Sequence, residues 1–140
     1  MSQKLDETSV FLNSLDTCVI ATVDQNGLPE AATVGFSHDD SFVFLIGTNK
    51  KSRKYANLTS NPACALVIGL EGSQTVQVEG SAEEVDAQTI EKRLEHHYDK
   101  VPTARRFQSD EGQTYFLITP TWLRHTNYAN PEPIFEIKEF

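Results

Sequence analysis

The sequence predicts a mainly β domain, a small antiparallel barrel with helices at its periphery. Short apolar runs rich in β-branched residues recur along the chain, tight turn signals separate them, and a regular β-α-β alternation is lacking. Strands joined by tight turns pair antiparallel, and closing the sheet into a barrel hides its edges. The 140 residues suffice for one core, so residues 1–140 are predicted to form a single domain.

The first half of the chain alternates strands and turns after an opening helix. Residues 18–23 form a β-rich run, Asn26-Gly27 signals a hairpin turn, and residues 31–36 predict the returning strand. Residues 38–41 predict a polar turn before an apolar strand at 42–46. The opening helix is predicted from residues at helical spacing, which are Leu5, Thr8, Phe11, Leu12 and Leu15.

A helix is expected in the polar, basic segment Asn49–Ser60, and it should stop at Asn61-Pro62. Residues 63–70 predict a strand, and residues 75–79 alternate strictly, as a half-buried strand does. Gly80 within this long strand predicts a bulge or a close backbone approach.

The last part of the chain predicts one more helix and two strands. Asp86 is expected to cap a helix whose apolar face repeats every four residues. Residues 114–118 predict a strand that ends before Pro120, and residues 134–140 predict a final strand. The residues of the helix face are Ile90, Leu94 and Tyr98.

Composition excludes two broad classes. The net charge is −8 and the pI about 4.9, whereas a general nucleic-acid binder needs a broad basic surface. No apolar run approaches the roughly 20 residues that cross a bilayer, and the polar start, Met1–Thr8, does not resemble a signal peptide. We therefore expect a cytoplasmic protein in which Cys18 and Cys64, each among apolar neighbours, are buried free thiols.

Positive charge is concentrated where a helix is predicted to begin. Four of the chain's 12 basic residues, Lys50, Lys51, Arg53 and Lys54, lie within five positions. The helix dipole is positive at that end, so cations there are disfavoured by up to about 1 kcal/mol each. A bound phosphate resolves this conflict by accepting bonds from unpaired amides, from the Ser52 hydroxyl and from Arg53, with Lys54 as a further charge. The alternative is a solvated basic face paired with acids elsewhere.

The surroundings of this cluster narrow the class of anion. Gly47-Thr48 joins an apolar strand to the basic helix, which places the anion site at the rim of the barrel. No Gly-x-Gly-x-x-Gly or Walker-type loop is present, so dinucleotide and nucleoside-triphosphate cradles are unsupported. A phosphorylated cofactor with a flat ring is favoured, since the ring can lie along the strands.

The remaining polar clusters are expected to be solvated. Adjacent side chains on a helix point about 100° apart, so His96 and His97 predict a solvated helix end rather than a metal face. His38 belongs to a predicted turn, and Glu83-Glu84 to a solvated strand end. Arg105-Arg106 is expected to balance local acids, with a substrate anion as the alternative. No Cys or His cluster has the spacing of a zinc site.

One block of residues resembles a known family. Thr48-Asn49-x-x-Ser52-Arg53-Lys54, followed by Leu58 and Asn61-Pro62, resembles the motif of the pyridoxamine 5′-phosphate oxidase-like flavoproteins. Gly27-x-Pro29 and Val76-x-Val78-x-Gly80-x-Ala82-Glu83 agree with it, and the resemblance spans about residues 15–122. It implies an antiparallel split β-barrel of Greek-key type that forms a homodimer and holds one FMN at each of two sites between the subunits.

The resemblance also implies roles for individual residues. Thr48 and Asn49 would lie beside the flavin, and Ser52, Arg53 and Lys54 would bind its phosphate. Thr75 falls where the oxidase has a glutamine that contacts the flavin, so only its hydroxyl or backbone can substitute. Trp122 matches a tryptophan that packs near the ring from the partner chain, and a core or interface aromatic is the alternative.

Two departures put the oxidase's own substrate in doubt. Ala32 and Ser37 stand where the oxidase has a phosphate-binding arginine and lysine, and Trp122-Leu123-Arg124-His125 matches its substrate-binding segment only loosely. We therefore expect an FMN-dependent oxidoreductase with a different substrate. The alternatives are a non-catalytic flavin-binding or stress protein, or the same barrel with a deazaflavin or haem. A haem would need a histidine at the cleft, for which His125 is the candidate.

Overall fold

The computed structural model describes residues 3–137 and 140, and for residues 131–135 only the backbone. Within this part of the chain the elements run α1 Gln3–Asn13, β1 Thr17–Val23, β2 Pro29–His38, β3 Phe44–Asn49, α2 Arg53–Ser60, β4 Ala63–Ile68, β5 Gln74–Val85, α3 Glu91–Lys100, a 3₁₀ helix Pro102–Phe107, β6 Gln113–Asn127 and β7 Asn130–Ile137. None of the described helices is long and apolar enough to cross a membrane.

The strands form a closed antiparallel barrel. Their order is β3-β2-β1-β4-β5-β6, and β3 pairs again with β6, so that six strands close on themselves. β7 continues the sheet beyond β6. The mainly β, antiparallel barrel predicted from the sequence is confirmed.

The barrel interior holds the main core. Alternate residues of the six barrel strands point inward, and the largest fully buried side chains include Phe36, Phe44 and Phe116. Cys18 and Cys64 are buried and unpaired, as predicted, and burial raises the pKa of Cys18 to about 12 and that of Cys64 to about 11. Both thiols therefore stay protonated near neutral pH.

β5 and β6 are longer than predicted because a bulge lets them continue past Gly80 and Pro120. Their register shifts between Glu79 and Gly80, and Gly80 then pairs with Pro120. A Cβ at Gly80 would lie 2.6 Å from the carbonyl oxygen of Thr119, so the backbones approach too closely for any other residue. The bulge predicted at Gly80 is confirmed, whereas the strand end predicted before Pro120 is wrong.

Several helices and strands begin or end at residues other than those predicted, because nearby side chains form hydrogen bonds there. Ser52 caps α2, so the helix begins at Arg53 rather than near Asn49. Asp86 does not cap α3: its carboxylate accepts the Gln88 amide in a separate turn, and the helix begins at Glu91. The predicted last strand ends at Ile137, and residues 138 and 139 lie outside the described residues.

The turn after β2 lies later in the chain than predicted, at residues 39–43, and His38 is not part of it. Asp39 accepts the amides of Ser41 and Val43, which holds Phe42 at a φ of +59° and delays β3 to Phe44. His38 is the last residue of β2, is 7% exposed, and hydrogen-bonds Ser9 of α1 through Nε2.

Helix α3 packs on the outside of the barrel. Ile90, Leu94 and Tyr98 are buried, as their spacing predicts, against Leu45 of β3 and Tyr115 of β6. Val101, between α3 and the 3₁₀ helix, is buried, and Ala104 of the 3₁₀ helix packs against the same cluster as α3. This cover, α3 with the 3₁₀ helix, encloses space against the barrel wall.

Candidate functional site

A cavity of about 470 Å³, which we call the main cavity, lies between the barrel wall and the cover. Its size is that of a pocket for a cofactor or drug-sized ligand. The wall is contributed by β2, β3 and β6, the cover side by the end of α3 and the 3₁₀ helix, and one end by the start of α2. The lining residues used below are Thr48, Asn49, Ser52, Lys54, His97 and Tyr98.

The segment joining β3 to α2 is fixed by its own side chains. The Ser52 hydroxyl accepts the Tyr55 amide at 3.2 Å and lies 2.9 Å from the Thr48 hydroxyl. Asn49 accepts the Lys51 amide and donates to the carbonyl oxygen of Glu111, each at 2.9 Å. Thr48, Asn49 and Ser52 are thus held rigidly at the cavity edge, as a binding site requires.

Lys54 joins the main cavity to a second one. This second cavity, of about 210 Å³, is lined by Ile20, Thr22, Glu30, Ala31, Ala32, Arg53 and Lys54. Lys54 lines both cavities, and partial burial lowers the pKa of its ammonium group. The absence of a larger side chain at Ala32 leaves this space open beside two cations.

Arg53 lines the second cavity but does not point a free guanidinium into it. Its Nη1 lies 3.4 Å from the Glu30 carboxylate, and the Arg53 side chain is 78% exposed. Lys50 and Lys51 are exposed on the preceding turn. Of the predicted phosphate-binding residues, the structure therefore brings Ser52 and Lys54 to the main cavity and pairs Arg53 with an acid beside it.

His97 is buried, which corrects the solvated helix end predicted for the His96-His97 pair. His97 is 1% exposed, lines the main cavity and hydrogen-bonds the Ser37 hydroxyl through Nδ1 at 2.8 Å. Burial, and then the nearby charges of Lys100 and His96, lower the pKa of His97 to about 4. His97 follows Leu94 by three residues, which places it on the buried face of α3. Interpreting His97 together with its exposed neighbour His96 hid this spacing.

The neighbouring Lys100 makes a second link between α3 and β2. Its ammonium group donates to the carbonyl oxygen of Phe36 at 2.8 Å and lies 3.5 Å from the centroid of the Phe36 ring. Burial lowers the pKa of Lys100 to about 8. Lys100 and His97 together fasten the end of α3 over Phe36 and Ser37.

Thr75 and Trp122 do not line either cavity of their own chain. The Thr75 hydroxyl donates to the carbonyl oxygen of Ile68. Trp122 donates from Nε1 to Glu136 at 3.2 Å and lies on what we call the outer sheet face, a half-buried apolar surface of β1, β4 and β6. The outer sheet face consists of Val19, Ala21, Ala65, Val67 and Trp122, and Gln77 and Glu79 of β5 line the same groove.

Arg124 and His125 are both engaged within the chain. Arg124 forms an ion pair with Glu136 at 3.0 Å. His125 is fully buried, with Nδ1 2.8 Å from the Thr8 hydroxyl and Nε2 2.8 Å from Gln74. These two residues lie apart from the main cavity, so the structure does not join them to Lys54.

The remaining charged candidates have ordinary partners. Arg105 lies 4.0 Å from Asp99 and over the Tyr98 ring, in agreement with the simple charge balance predicted for it. Glu84 is not merely solvated, because it accepts hydrogen bonds from Tyr55 at 3.0 Å and Thr114 at 2.6 Å. Glu84 thereby links α2 to β5 and β6.

Comparisons with known proteins agree with the fold. The sequence model of the family described as pyridoxamine 5′-phosphate oxidase matches residues 5–127. A pyridoxine/pyridoxamine 5′-phosphate oxidase of Burkholderia mallei (strain SAVP1) is 34% identical over 92 residues, which is 65% of this chain and 41% of that protein. The chain thus spans about two fifths of the length of the curated relatives it matches.

Solved structures share the barrel at low identity. A haem-binding protein from Mycobacterium smegmatis has a TM-score of 0.79 at 17% identity, covering 95% of this chain and 58% of that one. General Stress Protein 26 from Bacillus anthracis has a TM-score of 0.74 at 22% identity, covering 97% and 99%. These similarities confirm the split β-barrel fold.

The buried His97 predicts a loss of stability in mild acid. The pKa of His97 is about 4 in the folded chain and 6.5 in the reference state, so between these values the unfolded chain binds more protons. The free energy of unfolding therefore decreases as the pH is lowered through this window. His97→Asn should reduce the difference in unfolding free energy between about pH 7.5 and about pH 5 by about 2 kcal/mol, as measured by urea unfolding.

The adjacent, exposed His96 supplies the matched control. His96→Asn should keep most of the pH dependence of wild type, because burial is the largest cause of the lowered pKa of His97 and the charge of His96 is the smallest. His38, whose pKa burial also lowers to about 4, should keep part of that dependence in both variants. Equal pH dependence in His97→Asn and wild type would contradict the assignment of His97 as a buried neutral imidazole.

Proposed function

The chain belongs to the pyridoxamine 5′-phosphate oxidase family, and from this premise we propose that it is an FMN-binding flavoprotein, an oxidoreductase whose substrate differs from that of the vitamin B6 enzyme. The observation that carries the proposal is the meeting of two cavities at Lys54. FMN has a flat ring at one end and a phosphate at the other. The larger cavity has the volume and apolar walls for the ring, and the smaller one has the cations for the phosphate.

The residues present fit the phosphate end of FMN. The first amides of α2 have no partner within the helix, and the helix dipole adds partial positive charge. Lys54 adds a full charge, and Arg53 lies within reach beside it. The Ser52 hydroxyl already serves Tyr55 and Thr48, so it positions the loop as much as it contacts the ligand.

The rest of the cavity suits the ring. In this proposal Thr48 and Asn49 lie beside the flavin, and the cover shields it from water. Bound FMN supplies the electron transfer. His97 is neutral near pH 7 because its pKa is about 4, so it offers a hydrogen-bonding group at the cavity wall without adding charge.

The positions of Arg124 and His125 support a substrate other than a pyridoxal-type phosphate. Both ring nitrogens of His125 are hydrogen-bonded, so that residue offers no free group to a substrate, and Arg124 is held in an ion pair with Glu136 away from both cavities. Ala32 and Ser37 add no charge either. The chain also spans only about two fifths of the curated oxidases.

The histidines favour a flavin over haem. His125 has both nitrogens engaged, and His97 has its Nδ1 engaged by Ser37. An axial ligand needs a free imidazole nitrogen directed at the iron. Haem ligation would need a rearrangement at His125 or the remaining nitrogen of His97, since His38 and His96 line neither of the two cavities, whereas FMN requires no histidine.

The proposal includes a homodimer, and the outer sheet face supports it. Val19, Ala21, Ala65, Val67 and Trp122 form a half-buried apolar surface, which a partner of the same kind can cover. Trp122 lies apart from the main cavity of its own chain. It can contact a flavin only if that flavin is bound between two subunits, as the family resemblance implies.

Removing both cations of the second cavity should abolish FMN retention. The double variant Arg53→Ala, Lys54→Ala should weaken FMN at least tenfold, because charge-assisted hydrogen bonds to the phosphate contribute about 1.5–3 kcal/mol each. The measurement is the visible spectrum of the purified protein, mass identification of the released ligand, and FMN titration. Lys50→Ala, Lys51→Ala removes the same charge from the exposed turn and should change affinity less than threefold.

Two results would contradict this assignment. Unchanged affinity in the Arg53, Lys54 variant would refute the phosphate site. A purified wild-type protein that carries no flavin and binds none on titration would refute the flavoprotein, and a haem spectrum in its place would favour the alternative ligand.

Turnover separates an oxidoreductase from a flavin reservoir. Under anaerobic conditions NADH or NADPH should bleach the flavin of the loaded protein, and an added acceptor should restore the colour over repeated cycles. FMN that stays oxidised with both donors, while bound with full affinity, would favour a reservoir or stress protein.

A charge on the outer sheet face should dissociate the dimer. Val67→Asp places an unpaired carboxylate in this apolar surface, and sedimentation should detect monomer together with reduced FMN affinity. Val10→Asp, on exposed α1, is the control and should remain dimeric. A wild-type monomer, or a Val67→Asp protein that stays dimeric, would contradict this interface.

A further inference from the structure

The carboxylate of Glu30 lies beside the cations proposed to hold a phosphate. Its Oε2 is 3.4 Å from Arg53 Nη1, and its Oε1 accepts from the Asn57 side-chain amide at 2.7 Å. The same amide donates to the Thr22 hydroxyl at 3.0 Å. Glu30 is therefore fixed both by an ion pair and by a buried amide.

The two partners of this ion pair are held very differently. The Glu30 side chain is 19% exposed and is anchored by Asn57, which is 6% exposed, whereas the Arg53 side chain is 78% exposed. A long, exposed side chain rotates freely, but an anchored carboxylate does not. Arg53 is thus the partner that can move, and Glu30 determines where it rests.

The charges around the second cavity do not match a phosphate monoester. Arg53 and Lys54 contribute two positive charges, Glu30 removes one, and Ala31 and Ala32 contribute none. A phosphate monoester carries about −1.5 to −2 at neutral pH. The phosphate and Glu30 are therefore two anions that compete for one guanidinium.

We propose that Glu30 is a specificity-determining residue: it holds Arg53 away from the ligand and so limits how strongly the site prefers a phosphorylated flavin to the unphosphorylated one. The inference rests on the proposed FMN site. Lys54 and the start of α2 then hold most of the phosphate, and FMN is bound as an exchangeable ligand. Glu30 acts through Arg53 and does not itself need to touch the flavin.

The test is the isosteric variant Glu30→Gln, titrated with FMN and with riboflavin. The glutamine keeps an oxygen for Asn57 but loses the charge that holds Arg53. FMN affinity should rise about tenfold while riboflavin affinity stays within twofold, because riboflavin has no phosphate to gain from Arg53. Glu83→Gln, which removes the same charge from an exposed residue of β5, should change neither affinity more than twofold.

A double variant tests whether the effect passes through Arg53. Glu30→Gln should give no gain in FMN affinity in an Arg53→Ala background. A gain of the same size there would overturn the proposal, because it would mean direct repulsion by Glu30. Unchanged or weaker FMN binding in Glu30→Gln, with wild-type thermal stability, would also overturn it.

These outcomes are distinct from failure of the proposed function. Wild-type protein that binds FMN, with no gain in Glu30→Gln, refutes only the role of Glu30. If neither wild type nor Glu30→Gln binds FMN or riboflavin, the flavin site itself is refuted, and the role of Glu30 with it. FMN binding that is detectable only in Glu30→Gln would support both.

Discussion

The pairing of β3 with β6 is the interaction on which the rest of this structure depends. Phe44–Asn49 aligns with Gln113–Ile118 across more than sixty residues of chain, and this contact closes the barrel. Without it, β3 would be an exposed edge with unpaired backbone groups. The same pairing fixes the last residues of β3, Thr48 and Asn49, next to Gln113, and so sets where α2 begins and where the candidate site lies.

Closure of the barrel also determines how closely the cover packs against β2 and β3. Gly35 of β2 and Gly47 of β3 leave room at the cavity wall, since a Cβ at Gly35 would lie 2.8 Å from a Val101 methyl group and one at Gly47 would lie 2.9 Å from the Gln113 amide. His97 and Lys100 then tie α3 to β2. The resemblance aligns Ser37 with a phosphate-binding lysine of the oxidase. In this structure Ser37 instead hydrogen-bonds His97 of the cover.

Sequence reasoning succeeded where a feature depends on near neighbours in the chain. The apolar repeat of α3, the hairpin at Asn26-Gly27 and the glycine at the bulge each have a local physical cause, and each is present in the structure. Ser52 was singled out as a phosphate ligand, and the helix it caps does begin beside it. The basic cluster lies at the barrel rim as predicted, because the order of a strand and a helix is also local, and that an anion binds there stays a prediction.

What sequence reasoning missed depends on partners far apart in the chain. Ser37 and His97 are sixty residues apart, and their hydrogen bond exists only once α3 docks. Glu30 and Arg53 meet because alternate residues of β2, of which Phe36 and Glu30 are two, face inward and because Asn57 of α2 anchors the carboxylate. The sequence predicted this strand only over residues 31–36, so Glu30 lay outside it, and nothing in the sequence indicated which helix would meet it.

The cavity volumes place a limit on the chemistry. About 470 Å³ lies in the lower part of the range for a single cofactor-sized ligand. On the proposed function, a flavin ring in this cavity would leave little room under the cover for a substrate as large as the cofactor. The substrate would then be small, or would reach the flavin from the side on which the proposed dimer places a second subunit.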